Sequence, residues 1–232
     1  MSYLSLVAAP LLVAQALYVR RTTPRLPGAS GPTEGLVPGA GTPWRLAVLG
    51  ESTVDGVGAA SHEEALTGRL AQALARDGRA VRWQAVGRTG ADAQVTRTDL
   101  LSKVGPADLV VIALGVNDTI ELHSAARYRR DLLALVVALW RRQRVPVVLA
   151  GVPPMERFPA LPRPLRDVLA ARSAVLDDAA AELSRLPGVL HVPTPPDLLD
   201  AGTFAEDRFH PGPTGYARWA NHLADAWFRH AE

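Results

Sequence analysis

Five residues of this chain are of the types that acyl transfer requires: Ser52, Gly90, Asn117, Asp207 and His210. A serine hydroxyl can attack a carbonyl carbon, a histidine can accept the hydroxyl proton, and a carboxylate can orient that histidine. Hydrogen-bond donors must also stabilise the charge that develops on the carbonyl oxygen. Taken singly, each residue has an ordinary explanation as a helix cap, a turn residue or a loop residue. A catalytic site therefore requires that the fold bring all five together.

The elements that would position these residues alternate between strand and helix from Trp44 onward. Short apolar runs are typical of strands, and they cover residues 45–50, 80–87, 107–115, 145–151 and 188–193. Helix signals lie between and after them: a capping box of Ser61 and Glu64, an N-cap at Ser124, a helical pattern over 165–186, and Pro213 at the first turn of a last helix. This alternation predicts an α/β fold with a parallel sheet covered on both faces.

The segments that follow the strands carry the candidate residues. The first three strands end in the blocks GEST, GRTGADA and GVNDT, and EDRFHPG precedes the last helix. In parallel sheets, ligands bind beyond the carboxyl ends of the strands. The sequence therefore predicts that Ser52, Gly90, Asn117, Asp207 and His210 gather at one edge of the sheet.

Four of these blocks, GES, GRTG, GVND and DRFH, occur in an order that resembles the SGNH hydrolases, also called GDSL-type esterases and lipases. The resemblance covers residues 44–230. It implies a flavodoxin-like, three-layer α/β/α sandwich with a five-stranded parallel sheet. It also implies an esterase activity that needs no cofactor and takes a small-molecule ester or acylated substrate.

The resemblance assigns a role to each residue. Ser52 would be the nucleophile, and Asp207 and His210 would complete the triad. The backbone N–H groups of Ser52 and Gly90 and the side-chain amide of Asn117 would hold the oxyanion. The chain departs from the family at Glu51, which stands where the shorter aspartate of Gly-Asp-Ser-Leu is usual. This departure leaves open whether the Glu51 side chain makes a hydrogen bond to the loop that carries the oxyanion donors.

The same residues bear on other functions. An α/β-hydrolase needs Gly-x-Ser-x-Gly, but Val54 stands two residues after Ser52. Neither a Walker loop nor a dinucleotide fingerprint is present. An acyltransferase or deacetylase that acts on a sugar or lipid with the same triad stays open, and so does a non-catalytic binding module.

The apolar, Pro-rich loop 151–167 would either line an acyl pocket or pack on a helix. We expect esters or thioesters of modest acyl length as substrates.

The amino-acid composition limits the kinds of partner that we expect the protein to bind. The 232 residues include no cysteine, and the formal net charge is +2. The arginines at 128–130 and 141–144 flank one apolar run, so we interpret them as the solvated ends of a helix and expect no nucleic-acid partner. The histidines that stand outside the four blocks lack the spaced acids of a metal set, so no metal is expected. The oligomeric state stays open.

The first residues form a separate region. Residues 3–18 carry no charge and are followed by Arg20 and Arg21. A helix of this length measures about 24 Å, which is shorter than the roughly 30 Å core of a bilayer. We expect a hydrophobic helix over 1–21 that either associates with a membrane, at a shallow depth or marginally spanning it, or packs on the domain or a second copy. A Pro- and Gly-rich linker (22–43) and a catalytic domain (44–232) would follow, on the cytoplasmic side.

Overall fold

A computed structural model of the protein describes the backbone of residues 3–231, with side chains from residue 9 onward. In this part of the chain the strands are β1 (Glu34–Val37), β2 (Ala40–Gly50), β3 (Arg79–Gly87), β4 (Leu109–Ala113), β5 (Val147–Ala150) and β6 (Val189–Val192). The helices are α1 (Tyr3–Thr22), α2 (Leu66–Leu74), α3 (Ala93–Val95), α4 (Val116–Ile120), α5 (Ala125–Gln143), α6 (Leu165–Ala181) and α7 (Pro213–Ala231).

The strands form one sheet in the order β1-β3-β2-β4-β5-β6. Strands β2 to β6 pair in parallel, whereas β1 runs antiparallel to β3, from Glu34 opposite Gln84 to Val37 opposite Val81. The predicted α/β architecture is confirmed, but the sheet has six strands rather than five and is mixed rather than wholly parallel. Residues 22–43 contain β1 and the start of β2. Local composition does not predict β1, because its four residues are extended only through their pairing with the edge of β3.

Two apolar layers cover the two faces of the sheet. Successive side chains of a strand point to opposite faces. Accordingly, Ala47 and Leu49 of β2 pack with α5 and the end of α6, whereas Leu46 and Val48 pack with α2 and α7. Strand β4 is buried along its whole length, as its uncharged sequence predicts. The helices thus leave only the ends of the central strands free to form a site.

The helix signals in the sequence are mostly confirmed. The Ser124 side chain accepts a hydrogen bond from Arg127 N–H at 3.2 Å and caps α5, and Pro213 begins α7. The capping box at Ser61 is wrong, because α2 begins only at Leu66 and its N-cap, Ala65, makes no side-chain hydrogen bond. Ser61 instead forms an isolated bridge with Ser30, and residues 62–64 form turns before α2 begins.

Helix α1 contacts the domain through one side. Leu12 and Val19 pack against an apolar cluster formed by Met155, Phe158, Leu161, Leu165 and Leu169. Gln15 lies between them on the same side, where its amide nitrogen donates to Arg163 O at 2.6 Å and its amide oxygen accepts from Leu165 N–H at 3.0 Å. Across residues 3–231, no helix is both long enough and apolar enough to cross a membrane.

Candidate active site

Ser52 lies in a tight turn immediately after β2, at the carboxyl end of the sheet. The turn is closed by hydrogen bonds from Val54 N–H and Asp55 N–H to Glu51 O, at 2.9 and 3.0 Å. Gly50 is required where the strand ends, because a side chain there would collide with Ala113 O of β4. The Ser52 side chain is thereby held at the edge of the two central strands, and only 7% of the residue is exposed.

Asp207 and His210 lie on one short loop before α7. Asp207 Oδ1 accepts hydrogen bonds from Phe209 N–H and His210 N–H, at 2.9 and 3.0 Å, and Oδ2 lies 2.6 Å from His210 Nδ1. The loop closes on itself through Ala205 N–H, which donates to His210 O at 2.8 Å. Arg208 adopts a positive φ of 58° at the turn. The carboxylate thus organises the backbone of the loop and orients the imidazole ring.

The structure brings these three side chains into one hydrogen-bonded row. His210 Nε2 lies 3.1 Å from Ser52 Oγ, across 158 positions of sequence. Burial acts to raise the pKa of Asp207, but the hydrogen bonds from His210 and the two backbone N–H groups outweigh it and lower that pKa. An ionised Asp207 keeps the proton of the neutral imidazole on Nδ1, so that Nε2 is free to accept the proton of the serine hydroxyl.

Glu51 makes the contact that the sequence leaves open. Its two carboxylate oxygens accept hydrogen bonds from Val116 N–H and Asn117 N–H, each at 3.0 Å. The residue is 3% exposed. Burial raises the pKa of Glu51 to about 8, although these hydrogen bonds act in the opposite direction. The longer acid therefore reaches the loop after β4 and fixes the backbone of Asn117 beside the serine turn.

The buried Glu51 carboxyl predicts a pH-dependent stability. Between its usual pKa of 4.5 and about 8, the folded protein holds a proton that the unfolded chain releases. Its stabilising contribution is complete below the unfolded pKa and is lost as pH rises through the folded one. We expect Glu51→Gln to abolish this loss, so that the variant gains on the order of 3–5 kcal/mol relative to wild type between pH 5 and pH 9.

Denaturant unfolding of both proteins at the two pH values measures this difference. Glu63→Gln is the matched control, since Glu63 is exposed on the surface near α2. If Glu51→Gln and wild type lose stability in parallel as pH rises, the Glu51 carboxyl is not protonated in the folded protein.

The loop that carries Gly90 and the start of α4, which carries Asn117, meet beside the serine turn. Gly90 has a φ of 81°, a conformation that favours glycine, and among the described residues its N–H finds no protein acceptor. The Ser52 N–H is likewise left without a protein acceptor in this part of the chain. Asn117 Nδ2 donates to Ala91 O at 3.0 Å, which uses one of its two amide hydrogens. Gly90, Ser52 and Asn117 thus each present an N–H group that has no protein acceptor among the described residues.

Asp55 is a supporting residue that the sequence analysis does not single out. Its Oδ2 accepts from Thr89 N–H at 3.1 Å and lies 2.6 Å from Thr89 Oγ1. It therefore ties the serine turn to the loop after β3, as Glu51 ties it to the loop after β4. An acid on each side of the serine is the only signal of these contacts in the sequence.

An apolar cavity of about 720 Å³, including its opening to solvent, lies beside Ser52 and His210. Its walls come from the ends of the strands and from the loops before α6 and α7. The apolar side chains that line it include Val116, Phe158, Leu198, Leu199, Phe204 and Phe209. The rings of Phe204 and Phe209 pack edge-on against Phe158, with centroids 5.5 and 5.1 Å away.

The loop 151–167 contributes some residues to the cavity wall and others to packing on helices. Pro153 and Phe158 line the cavity. Met155 and Leu161 are buried behind it, in the cluster that packs on α1 and α6.

One group of residues outside the cavity has the geometry to bind a cation. Asp92, Glu121 and His123 lie close enough for their ligand atoms to share an ion. His123 Nδ1, however, lies 2.9 Å from Asp118 Oδ1 and its Nε2 lies 3.2 Å from Glu121 Oε2. Arg127 Nη2 lies 3.3 Å from Asp92 Oδ2. The acids of this group therefore already have hydrogen-bond or ion-pair partners within the protein. Its histidine lies five residues after Asp118 of the GVND block, and the sequence shows no metal-ligand spacing around it.

Comparisons with known proteins bear on the family of this chain. The profile of the family described as GDSL-like Lipase/Acylhydrolase matches residues 48–218. The GDSL-like esterase Rv1075c of Mycobacterium tuberculosis is 30% identical over 238 residues, which cover 92% of this chain and 74% of that protein. These matches confirm the resemblance that the four sequence blocks carry.

Solved structures share the fold. The lipase Lip_vut3 from a goat rumen metagenome has a TM-score of 0.65 at 16% identity, over 79% of this chain and 97% of that one. The extracellular lipase of Streptomyces rimosus has a TM-score of 0.59 at 18% identity, over 78% of this chain and 98% of that one.

Proposed function

We propose that this chain, which belongs to the GDSL-like lipase/acylhydrolase family and is a carboxylic ester hydrolase, cleaves its substrate through an acyl-enzyme on Ser52. The observation that carries the proposal is the 3.1 Å contact between Ser52 Oγ and His210 Nε2, with Asp207 bound to the other ring nitrogen. A hydroxyl, a base and an orienting carboxylate in this geometry suit nucleophilic catalysis.

The chemistry proceeds in two halves. In the first, His210 Nε2 takes the Ser52 proton while Oγ attacks the carbonyl carbon, and the imidazolium then returns the proton to the departing alcohol. In the second, His210 takes a proton from water, the resulting hydroxide attacks the acyl carbon, and Ser52 recovers its proton as the acid leaves. Asp207 remains ionised throughout and stabilises the imidazolium in both halves.

The oxyanion is held by three donors in this proposal. The N–H groups of Ser52 and Gly90 have no protein acceptor in the described part of the chain, and Asn117 Nδ2 has one hydrogen left after its bond to Ala91 O. Donors that are already fixed cost no reorganisation when charge develops. Glu51 supports this role because it fixes the backbone of Asn117.

The cavity favours the acyl part of an ester as its occupant. Its volume of about 720 Å³ includes the opening, and apolar walls with few polar groups are typical of sites for small apolar ligands. We infer that the substrates are carboxylic esters or thioesters of modest acyl length, with the acyl chain against Phe158, Leu199 and Phe204.

Narrowing the cavity tests this assignment. We expect Leu199→Trp to lower kcat/KM for an octanoyl ester by about tenfold or more and to change that for an acetyl ester by less than about twofold. The reason is that Leu199 lines the cavity, whereas the reacting carbonyl lies at Ser52. The measurement is kcat/KM on p-nitrophenyl esters of graded chain length.

The matched control is Val175→Trp, because Val175 is 54% exposed on α6 and does not line the cavity. An equal loss on acetyl and octanoyl esters would place the acyl chain elsewhere. Release of free acid in buffer without an added alcohol separates hydrolysis from acyl transfer to an acceptor.

A further inference from the structure

Helix α1 presents an apolar surface that the domain does not cover. Its contact side consists of Leu12, Gln15 and Val19, at helical spacing. The remaining sides carry Leu11, Val13, Leu17 and Tyr18, which are 51%, 59%, 47% and 62% exposed. A helix that is apolar on all sides is normally buried, and large exposed apolar patches mark interaction sites. The uncovered side of α1 therefore calls for a partner.

The charge around α1 identifies the kind of partner. No acidic residue precedes Glu34, whereas Arg20, Arg21 and Arg25 lie at and just beyond the end of the helix. All three arginines are exposed, and no ion pair within residues 3–231 includes them. Three arginine side chains without an ion pair among the residues described, beside an apolar helix, complement a partner that has an apolar interior and anionic groups at its surface.

We propose that α1 holds the enzyme on the surface of a membrane that contains anionic lipids. Leu11, Val13 and Leu17 would enter the boundary between headgroups and acyl chains, and the arginines would bind lipid phosphates and carboxylates. Tyr18, between the apolar residues and Arg20, has the amphipathic ring that is common at membrane interfaces. A second copy of the chain is a poorer occupant, because it would bring two sets of these arginines to one interface without an acid from the same segment.

The helix is also continuous with the wall of the cavity. The cluster on which Leu12 and Val19 pack includes Phe158, and Leu199 and Phe204 pack against the same cluster. All three of these residues line the cavity beside Ser52. If the proposed function holds, the bound enzyme would keep its acyl cavity close to the lipid surface, where esters with apolar chains concentrate.

Co-sedimentation with vesicles tests the proposal. We expect the full chain to pellet with vesicles of phosphatidylcholine that contain about 30 mol% phosphatidylserine, and to pellet less with phosphatidylcholine alone. About 0.5 M NaCl should weaken the binding by screening. Arg20→Glu with Arg21→Glu should reduce binding to the anionic vesicles by about 25-fold or more, and Leu17→Glu by about tenfold.

Val175→Glu is the matched control, because it places the same charge at an apolar position that is 54% exposed on α6. Hydrolysis of a soluble ester should be unchanged in each variant, which shows that the protein remains folded and keeps a lipid-binding failure distinct from a failure of the proposed function. Equal pelleting of wild type and the α1 variants would overturn the proposal. So would a concentration-dependent dimer, seen by sedimentation velocity, that Leu17→Glu dissociates.

Discussion

Replacement of Ser52 by alanine is expected to lower kcat for ester hydrolysis by about 10³- to 10⁶-fold, the range seen when a triad serine is lost. The reason is that no acyl-enzyme can form without Oγ. The folded structure should persist, since the only side-chain hydrogen bond of Ser52 in the described residues is the one to His210. The measurement is kcat on a soluble p-nitrophenyl ester, with thermal unfolding as the check on folding.

Ser61→Ala is the matched control, because Ser61 lies nine residues further along the chain, half-buried and outside the cavity. An organophosphorus reagent should add covalently to Ser52 and to no other serine, which mass spectrometry of the labelled peptide detects. A Ser52→Ala protein with an intact rate would end the acyl-enzyme mechanism.

Asp207→Asn is the second substitution with a large expected effect, a loss of about 10⁴-fold in kcat. The carbonyl oxygen of asparagine can still accept from the backbone N–H groups that Asp207 Oδ1 now binds. Its NH₂ group would then face His210 Nδ1 and donate to it. This hydrogen bond selects the tautomer with its proton on Nε2, which cannot accept the proton of Ser52.

The pH profile distinguishes this role from that of an oxyanion donor. The rate should rise with pH to a plateau, because a general base must be unprotonated to act. The lowered pKa of Asp207 keeps its carboxylate ionised. Asp207→Asn removes that charge from beside the base and should therefore move the midpoint of kcat/KM against pH as well as lower the plateau. Asn117→Ala, the control, should lower the plateau by about 10²- to 10³-fold and leave the midpoint in place. The reverse pattern would mean that the two roles are wrongly assigned.

The sequence predicts the parts of the fold that depend on local pattern. The central strands follow from uncharged apolar runs, and α5 and α7 begin at the predicted Ser124 and Pro213 signals. Strand β1 and the start of α2 do not follow from local pattern, because each depends on a distant partner. Glu34–Val37 is extended through its pairing with β3, and Ser61 is held by Ser30.

The sequence likewise predicts only part of the candidate site. The blocks at the strand ends predict which residues could react, because parallel strands bring their carboxyl ends to one edge. They do not predict the contacts of Glu51 with Asn117 or of Asp55 with Thr89, which join residues 66 and 34 positions apart. Such contacts depend on how closely two loops approach, and this distance is a property of the packed structure rather than of either loop.

The loop of Asp207 and His210 holds two of the three groups of the proposed triad together as one unit. Its acid, its base and the backbone between them are joined by five hydrogen bonds made within residues 205–210. The contact of His210 with Ser52 instead joins residues that are 158 positions apart in the sequence. A small movement of α7 relative to the sheet would stretch that contact, together with the hydrogen bond from Tyr216 Oη to Val57 O, and leave the acid–base pair intact. The enzyme would then lose activity through misalignment of His210 and Ser52 before it lost its secondary structure. A loss of activity would therefore be an early sign that α7 has moved relative to the sheet.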